Sequence, residues 1–367
     1  MDWQFILYTL LKIVGVLVVL MPMIAYSVMA ERKISAAIQG RLGPNRVGPW
    51  GLLQPLADGL KFLLKEDFTP AHVRKAYFWL APVLSMTPAF LVVAVIPYGT
   101  FLGAQKMLIA DLNIGILFTF AIVSLSVYGI VLAGYAANSK YPFLGGIRSS
   151  AQMISYEIAM GLSVVPVFML AAAPFVEQWA QDPTHAWYNL LVGTSGLNLN
   201  RVVAYQADGI LGWLVFKQPM AFIIFMVAIF AETNRLPFDL PESETELVGG
   251  YHTEYSSMKF ALFFLGEYAA MIAGSALIVV LFLGGCTLPF WGLDHPAGSV
   301  GVGVLQIGIF IAKLLALVGL MVWVRWTLPR FRYDQLMNLG WRVFVPLALA
   351  NIVLTATILW MMQLGSS

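Results

Sequence analysis

Residues 223–246, IIFMVAIFAETNRLPFDLPESETE, join an uncharged apolar run to a segment dense in carboxylates. The apolar run ends at Glu232, and Pro237 and Pro241 then prevent a helix from continuing. Five acidic residues lie within the 15 positions that begin at Glu232, and Arg235 is the single basic residue among them. The stretch therefore predicts the end of a membrane-spanning helix followed by an acidic loop at 232–257.

Composition extends the membrane assignment to the whole chain of 367 residues. Hydrophobic residues make up 60% of it and charged residues 11%, whereas about a quarter of a soluble domain is charged. We predict an all-α integral membrane protein that forms a single membrane domain over 1–367. Apolar segments long enough to cross about 30 Å of hydrocarbon predict eight transmembrane helices, at 3–29, 76–97, 112–137, 154–176, 210–231, 258–283, 300–326 and 343–364.

The basic residues predict how these spans are oriented. Of the 21 lysines and arginines, sixteen lie in or beside the first, third, fifth and seventh loops, and only three lie in or near the other loops. Loops rich in lysine and arginine remain in the cytoplasm, and carboxylates carry little weight in this rule. The odd-numbered loops, including the acidic one, are therefore predicted to be cytoplasmic, with both termini on the opposite side.

The first cytoplasmic loop contains a predicted amphipathic helix at about 51–64. Polar residues occupy one side of it, and the other side carries leucines at helical spacing, Leu52, Leu56, Leu60, Leu63 and Leu64. The helix is too short and too charged to span a bilayer. It either lies on the membrane surface or packs against the rest of the protein.

Three ionisable residues fall inside predicted spans, where a charge is costly unless it faces a partner or water. Glu157 is either solvated near the membrane surface or functional. Glu267 and Lys313 either form a buried pair that fixes packing or belong to a polar path. The acidic loop is likewise either a solvated surface or a set of coupled carboxylates. Within it, Glu232 is expected to form an ion pair with Arg235.

The sequence contains no motif for binding a metal ion or a nucleotide. The chain has one cysteine, Cys286, which excludes an intramolecular disulfide and a cysteine-ligated cluster. Its four histidines are scattered singly, and no glycine-rich nucleotide loop is present. We predict no metal site, and any electron carrier or nucleotide would have to be held by other chains.

Four long stretches resemble the quinone-site membrane subunit of respiratory complex I, a family that occurs in bacterial NADH:quinone oxidoreductase and as mitochondrial subunit 1. They are ERKISAAIQGRLGPNRVGPWGLLQPLADGLKFLLKE, GGIRSSAQMISYE, AETNRLPFDLPESETELVGGYHTEYSSMKFALFFLGEY and LPRFRYDQLMNLGW, and with the adjoining spans they cover most of the chain. The resemblance implies a tilted eight-helix bundle. The long outer loop at 177–208 favours a bacterial source.

The resemblance also implies a role for each matching residue. Those that would line the quinone tunnel and cavity are Glu31, Arg32, Arg41, Asp58, Lys65, Arg148 and Phe238. Those that would form the proton relay and couple it to quinone reduction are Glu157, Glu232, Arg235, Asp239, Glu242, Glu244, Glu246 and Glu267. Tyr268 would extend the polar line into the membrane, while Arg325 and Arg330 would pair with these acids or with partner subunits.

The implied activity belongs to a complex rather than to this chain alone. Its substrate would be a quinone, ubiquinone, reduced by electrons from FMN and iron–sulfur clusters in partner subunits. The implied partners are peripheral-arm iron–sulfur and quinone-site subunits, small membrane subunits, antiporter-like proton-pumping subunits and membrane lipid, with no nucleic acid. The location would be the bacterial inner membrane, as a multi-pass protein with periplasmic termini.

Two other functions are compatible with the spans and buried acids. One is the membrane subunit of a related hydrogenase complex, and the other is a stand-alone secondary transporter. The chain shows no internal repeat and no sign of a broken span, and both absences argue against a stand-alone transporter.

Overall fold

The computed structural model describes residues 3–102, 105–172, 197–207, 210–240, 248–288 and 297–366. In this part of the chain the α-helices are α1 (Trp3–Ile38), α2 (Gln54–Leu64), α3 (Lys75–Val93), α4 (Gly115–Ala136), α5 (Lys140–Ala171), α6 (Leu199–Tyr205), α7 (Leu214–Lys217), α8 (Pro219–Glu232), α9 (Ser257–Phe282), α10 (Val300–Thr327), α11 (Tyr333–Asn338) and α12 (Val345–Ser366). A π-helical turn, Leu339–Phe344, joins α11 to α12. Two short antiparallel strands, β1 (Phe101–Leu102) and β2 (Gln105–Lys106), follow α3.

The prediction of an all-α membrane protein is confirmed. Within the described residues, seven helical segments are long and apolar enough to cross a membrane: α1, α3, α4, α5, α9, α10 and the continuous segment Tyr333–Leu364. Each overlaps one of the predicted spans. The count of eight stays a prediction, because the fifth predicted span is not one continuous helix.

The predicted span at 210–231 is broken at Gln218. This residue leaves the helical conformation (φ −133°, ψ 58°), as expected for a residue that precedes proline. Its buried side chain donates a hydrogen bond to Thr355 Oγ1 (3.0 Å) and accepts one from Asn351 Nδ2 (3.0 Å), both on α12. The helix that remains, α8, has 14 residues and a length of about 21 Å, which is shorter than the hydrocarbon core of a bilayer.

Two helices extend further toward the predicted cytoplasmic side than hydropathy indicates. α1 continues past residue 29 to Ile38, so that Glu31 and Arg32 project from a helix. α5 begins at Lys140, so that Arg148, expected in a loop, lies on the same helix as Glu157. Candidate site residues are thereby held on rigid elements instead of on connecting loops.

The core forms around α9, where 78% of the most apolar stretch is buried. α9 contacts α1, α3, α8 and α10. Glycines bring the neighbouring helices close together, as small residues do in membrane bundles. A Cβ added at Gly129 of α4 would lie 2.5 Å from Ser85 N of α3, and one at Gly134 would lie 2.6 Å from Pro142 O of α5.

Lys313 does not pair with Glu267. Its ammonium donates hydrogen bonds to three backbone carbonyls just beyond α9, those of Leu283 (2.6 Å), Gly285 (3.1 Å) and Thr287 (2.6 Å). Carbonyl oxygens at a helix C-terminus lack intrahelical donors and carry partial negative charge. Lys313 therefore holds α10 against the end of α9, and Glu267 must find another cation.

Candidate functional site

The turn that follows α8 is folded back onto α5. Arg235 N donates a hydrogen bond to Phe230 O (3.1 Å), and Phe238 N donates one to Arg235 O (2.8 Å). The buried side-chain amide of Gln152 on α5 donates to both Ala231 O (2.8 Å) and Phe238 O (2.7 Å). One amide thus holds both ends of the turn, and residues 232–240 are buried apart from one half-buried position. This part of the acidic loop is not a solvated surface.

Arg235 lies at the centre of a buried charged network. Its Nη1 donates to Glu31 Oε2 on α1 at 2.9 Å, and its Nε forms an ion pair with Glu267 Oε1 on α9 at 2.7 Å. The guanidinium carbon lies 4.2 Å from the centroid of the Tyr268 ring. Burial lowers the pKa of Arg235, but Glu267, Tyr268 and Glu31 outweigh that effect and hold the pKa above its usual value. Arg235 therefore stays charged and joins α1 to α9.

Glu31 receives hydrogen bonds from three side chains. Besides Arg235, the Tyr268 hydroxyl donates to Oε2 at 2.7 Å, and Arg325 Nη1 on α10 donates to Oε1 at 2.5 Å. The Glu31 side chain is only 7% exposed. A carboxylate this deeply buried is stable only when paired and hydrogen-bonded, so its position depends on α9 and α10 as well as on the turn.

Asp239 and Arg330 form the outer part of the same network. Arg330 Nη2 donates to Asp239 Oδ2 at 3.0 Å. Burial raises the pKa of the Asp239 carboxyl to about 6, although Arg330 and Arg325 pull that pKa downward. Asp239 is thus an acid of the network that exchanges its proton close to neutral pH.

The described network is balanced in charge. Its carboxylates are Glu31, Asp239 and Glu267, and its guanidinium groups are those of Arg235, Arg325 and Arg330. The expected pairing of Arg325 and Arg330 with acids is therefore found within the chain itself. A gain or loss of one proton here leaves one buried charge uncompensated, which is costly unless the remaining groups rearrange.

Glu232 and Glu157 form a second, separate acidic site. Glu232 is only 8% exposed, and neither of its carboxylate oxygens accepts a hydrogen bond from a described residue. The expected ion pair between Glu232 and Arg235 is therefore wrong, because Arg235 points to Glu31 and Glu267. Glu232 lines a cavity of about 50 Å³ and lies close enough to Glu157 for their charges to interact. Glu157 accepts a hydrogen bond from Ser124.

The surface helix α2 is attached to α1 beside the network. Arg32 Nη1 forms an ion pair with Asp58 Oδ2 at 2.7 Å, and Gln54 Nε2 donates to Asp58 Oδ1 at 3.0 Å. The predicted apolar side of the helix is exposed at all five leucines, Leu52, Leu56, Leu60, Leu63 and Leu64. Within the described residues, this side does not pack against the protein, which leaves it available to a membrane surface.

The other predicted tunnel residues occupy varied positions. Arg41 is exposed and donates to Gln39 Oε1 at 2.7 Å. Lys65 is exposed just after α2, and Arg148 is partly buried on α5. Phe238 is buried, with ring centroids 5.4 Å from both Tyr156 and Phe331, so it supports the turn from within. The predicted relay residues Glu242, Glu244 and Glu246 lie outside the described residues.

Comparison with known proteins assigns the chain to one family. A model of the NADH dehydrogenase family matches residues 11–356. The chain belongs to this family. The resemblance found in four stretches of sequence thus extends over nearly the whole chain.

Bacterial members of the NADH dehydrogenase family are similar to this chain over almost their full length. NADH-quinone oxidoreductase subunit 8 of Rhodothermus marinus is 50% identical over 336 residues, with 90% of each chain covered. An NADH-quinone oxidoreductase subunit of Cytophaga hutchinsonii is 45% identical over 359 residues, with 96% of each covered. Another, from Leptospira biflexa, is 45% identical over 376 residues, with 98% of each covered.

Two polar residues of this family member were not predicted as part of the site. Gln152 carries no charge, and Ser124 lies in an apolar helix with hydroxyl residues nearby, so neither stands out in composition. The one signal for Gln152 was its place in AQMISYE, where it lies five residues before Glu157 on the same helix. Buried side-chain amides require hydrogen-bond partners, but the carbonyls that Gln152 binds are 79 and 86 residues away in the chain.

We expect Asp239→Asn to remove a proton-binding step centred near pH 6. The folded-state pKa of Asp239, about 6, lies above its ordinary value of 3.8. The stability that Asp239 contributes is therefore fully present below 3.8 and is lost as pH rises through 6. Wild-type protein should lose thermal stability over this range relative to the variant. An infrared carboxyl band that disappears between pH 5 and 7 should be absent in Asp239→Asn and retained in Asp334→Asn, an exposed control.

We expect Glu31→Gln to destabilise the protein by about 3–5 kcal/mol, since Arg235 and Arg325 would lose their shared anion. Adding Arg325→Gln should recover part of this loss, because it removes the excess buried charge. Thermal or denaturant unfolding of both single variants and the double variant measures the coupling. Arg332→Gln is the control: its pair with Asp334 is exposed and worth at most about 1 kcal/mol. Strict additivity of Glu31→Gln and Arg325→Gln would contradict the network.

Proposed function

We propose that this chain is the membrane subunit of a proton-pumping NADH:quinone oxidoreductase, in which it forms a quinone tunnel and couples quinone reduction to proton movement. Its membership of the NADH dehydrogenase family and the names of its relatives support this function. The observation that carries the proposal is the position of Arg235, buried between Glu31 and Glu267. The break at Gln218 removes one argument against a transporter, but membership of the NADH dehydrogenase family and the names of the relatives favour the oxidoreductase.

The proposed tunnel begins at α2 and leads to the network along α1. The exposed leucines of α2 would rest on the membrane, from which a lipid-borne quinone would enter. Arg32 and Glu31 are neighbours on α1: Arg32 pairs with Asp58 of α2, and Glu31 belongs to the buried network. Two consecutive residues of α1 would thus connect the mouth of the tunnel with the proposed quinone cavity beside the charged network. Arg41, Lys65 and Arg148 would complete the polar lining shared with peripheral-arm subunits.

In the proposed reaction, the electrons come from FMN and iron–sulfur clusters in partner subunits. A chain with one cysteine cannot supply the thiolates that such clusters need. The substrate, ubiquinone, takes up electrons and protons together when it is reduced to the quinol. Asp239 is suited to supply a proton, because its pKa of about 6 leaves it partly protonated near neutral pH.

While Asp239 holds a proton, the network carries one excess positive charge, and proton transfer from Asp239 would bring the network into charge balance. Arg330 and Arg325 would then be drawn toward Asp239, which weakens the hold of Arg325 on Glu31. Arg235 would in turn change how closely it pairs with Glu31 and with Glu267. A protonation change at the cavity is thereby converted into a change of ion pairing on α9 and α10.

Glu232 and Glu157 would continue the relay into the membrane. The cavity beside Glu232, about 50 Å³ in volume, has room for water molecules that could satisfy its carboxylate. Glu242, Glu244 and Glu246 would enlarge the coupled set on the cytoplasmic side. The final acceptors would be the antiporter-like subunits, which move protons across the bacterial inner membrane.

The assembly is tested by extracting the membranes with a mild detergent and isolating the chain through an affinity tag. We expect flavin-containing and iron–sulfur chains to co-purify, with NADH:quinone activity in the same fraction. Mass spectrometry identifies the chains, and absorption spectroscopy detects flavin and iron. Isolation of the chain alone, or together with a nickel hydrogenase chain, would contradict the proposed function.

The relay is tested with Glu232→Gln and Glu157→Gln in fully assembled complex. Each change should lower NADH:quinone turnover and the coupled proton gradient at least about tenfold, which corresponds to about 1.4 kcal/mol. NADH oxidation by ferricyanide should remain normal, because this acceptor takes electrons before the quinone. Asp334→Asn, an exposed acid on the same side, should behave as wild type. Wild-type turnover in both glutamine variants would remove these residues from the relay.

A further inference from the structure

A large apolar cavity lies apart from the charged network. It has a volume of about 500 Å³, is partly open to the outside and is lined by α1, α3, α9, α10 and the strands that follow α3. Representative wall residues are Val16, Leu20, Ala276 and Leu314. The volume falls within the range of pockets that hold one small molecule, and none of the network residues lines it.

The polar groups of this cavity lie toward one end. Lys12 is the one charged residue in its wall, and its ammonium forms no hydrogen bond or ion pair with a described residue. Lys12 and Tyr8 belong to the N-terminal part of α1, whereas Tyr98 and Gln105 follow the C-terminal end of α3. In antiparallel spans these two ends meet at the same membrane surface. The cavity therefore has a cationic mouth and an apolar interior.

The part of the cavity below Lys12 corresponds in length to one leaflet of a bilayer. The lining residues on α1 run from Tyr8 to Met23, and the part from Lys12 to Met23 is about 16 Å long at the helical rise of about 1.5 Å per residue. This is about half of the 30 Å hydrocarbon core. A partner helix is too large an occupant, since a helix of that length and about 10 Å in diameter has a volume near 1,200 Å³.

We infer that this cavity binds one acyl chain of an anionic phospholipid from the leaflet on the side of the N-terminus. The lipid phosphate would bind Lys12, and the acyl chain would extend along Val16, Leu20 and Met23. An anionic headgroup neutralises the lysine, which a quinone headgroup does not. The site is distinct from the proposed quinone tunnel, which opens at α2 on the opposite side of the membrane.

Gly15 offers a way to fill the cavity without disturbing its walls. It lines the cavity one turn from Lys12, and a Cβ added there meets nothing within 4 Å. Gly15→Leu would therefore place a side chain in the space assigned to the lipid. Gly308→Leu is the matched control: a Cβ at Gly308 also meets nothing within 4 Å, and this glycine of α10 does not line the cavity.

The experiment uses the intact membrane complex, stripped of loosely bound lipid by detergent. The complex is then incubated with vesicles of phosphatidylglycerol, with vesicles of phosphatidylcholine carrying the same acyl chains, or with ubiquinone. Native mass spectrometry counts the molecules that remain bound. We expect wild type and Gly308→Leu to retain one phosphatidylglycerol that Gly15→Leu retains at least tenfold less often. Lys12→Gln should bind both phospholipids equally.

Three results would overturn the inference. Equal retention of phosphatidylglycerol by wild type and Gly15→Leu would show that the cavity holds no lipid chain. Equal retention of both phospholipids by wild type would remove the charge-based recognition by Lys12. Loss of ubiquinone, in place of phosphatidylglycerol, from Gly15→Leu would assign the cavity to the quinone path.

Discussion

A buried guanidinium group needs anionic partners, and this constraint organises the charged side of the protein. The Arg235 side chain is 3% exposed and lies between Glu31 and Glu267. Without those carboxylates it would be an uncompensated charge in an apolar core, at a cost of several kcal/mol. The turn that carries Arg235, the helix α1 and the helix α9 are therefore fixed relative to one another by a requirement for neutrality, in addition to their apolar contacts.

Charge balance also links protonation to geometry. Arg325 binds Glu31, and Arg330 binds Asp239, so the end of α10 and the segment after it carry cations that serve acids on other elements. Because the six groups are nearly balanced, protonation of one acid leaves a cation in excess, which must move or find another anion. Such a shift would involve several helices, as the proposed coupling of quinone reduction to proton movement requires.

The sequence is informative where a property depends on neighbouring residues and uninformative where it depends on distant ones. Hydropathy locates the spans, because the bilayer acts on each segment separately. It misses the break at Gln218, whose buried amide is held by partners on α12. Proximity in the sequence predicts an ion pair between Glu232 and Arg235, but in the folded chain Arg235 pairs with Glu31, which is 204 residues away in the sequence. Gln152 was missed for the same reason: its importance comes from the carbonyls that the fold brings to it.

α5 connects both acidic sites with the C-terminal helices. Gln152 holds the turn, the Tyr156 hydroxyl donates to Leu336 O at 2.9 Å, and Glu157 accepts from Ser124 on α4. At a helical rotation of about 100° per residue, Gln152 and Tyr156 project from nearly the same face of α5, and Glu157 projects about 140° away from Gln152. Inserting or deleting a single residue between them would turn one group of contacts away from its partners while leaving the other in place. The spacing along this segment of α5 is therefore under a stricter constraint than the identity of the residues between the contacts.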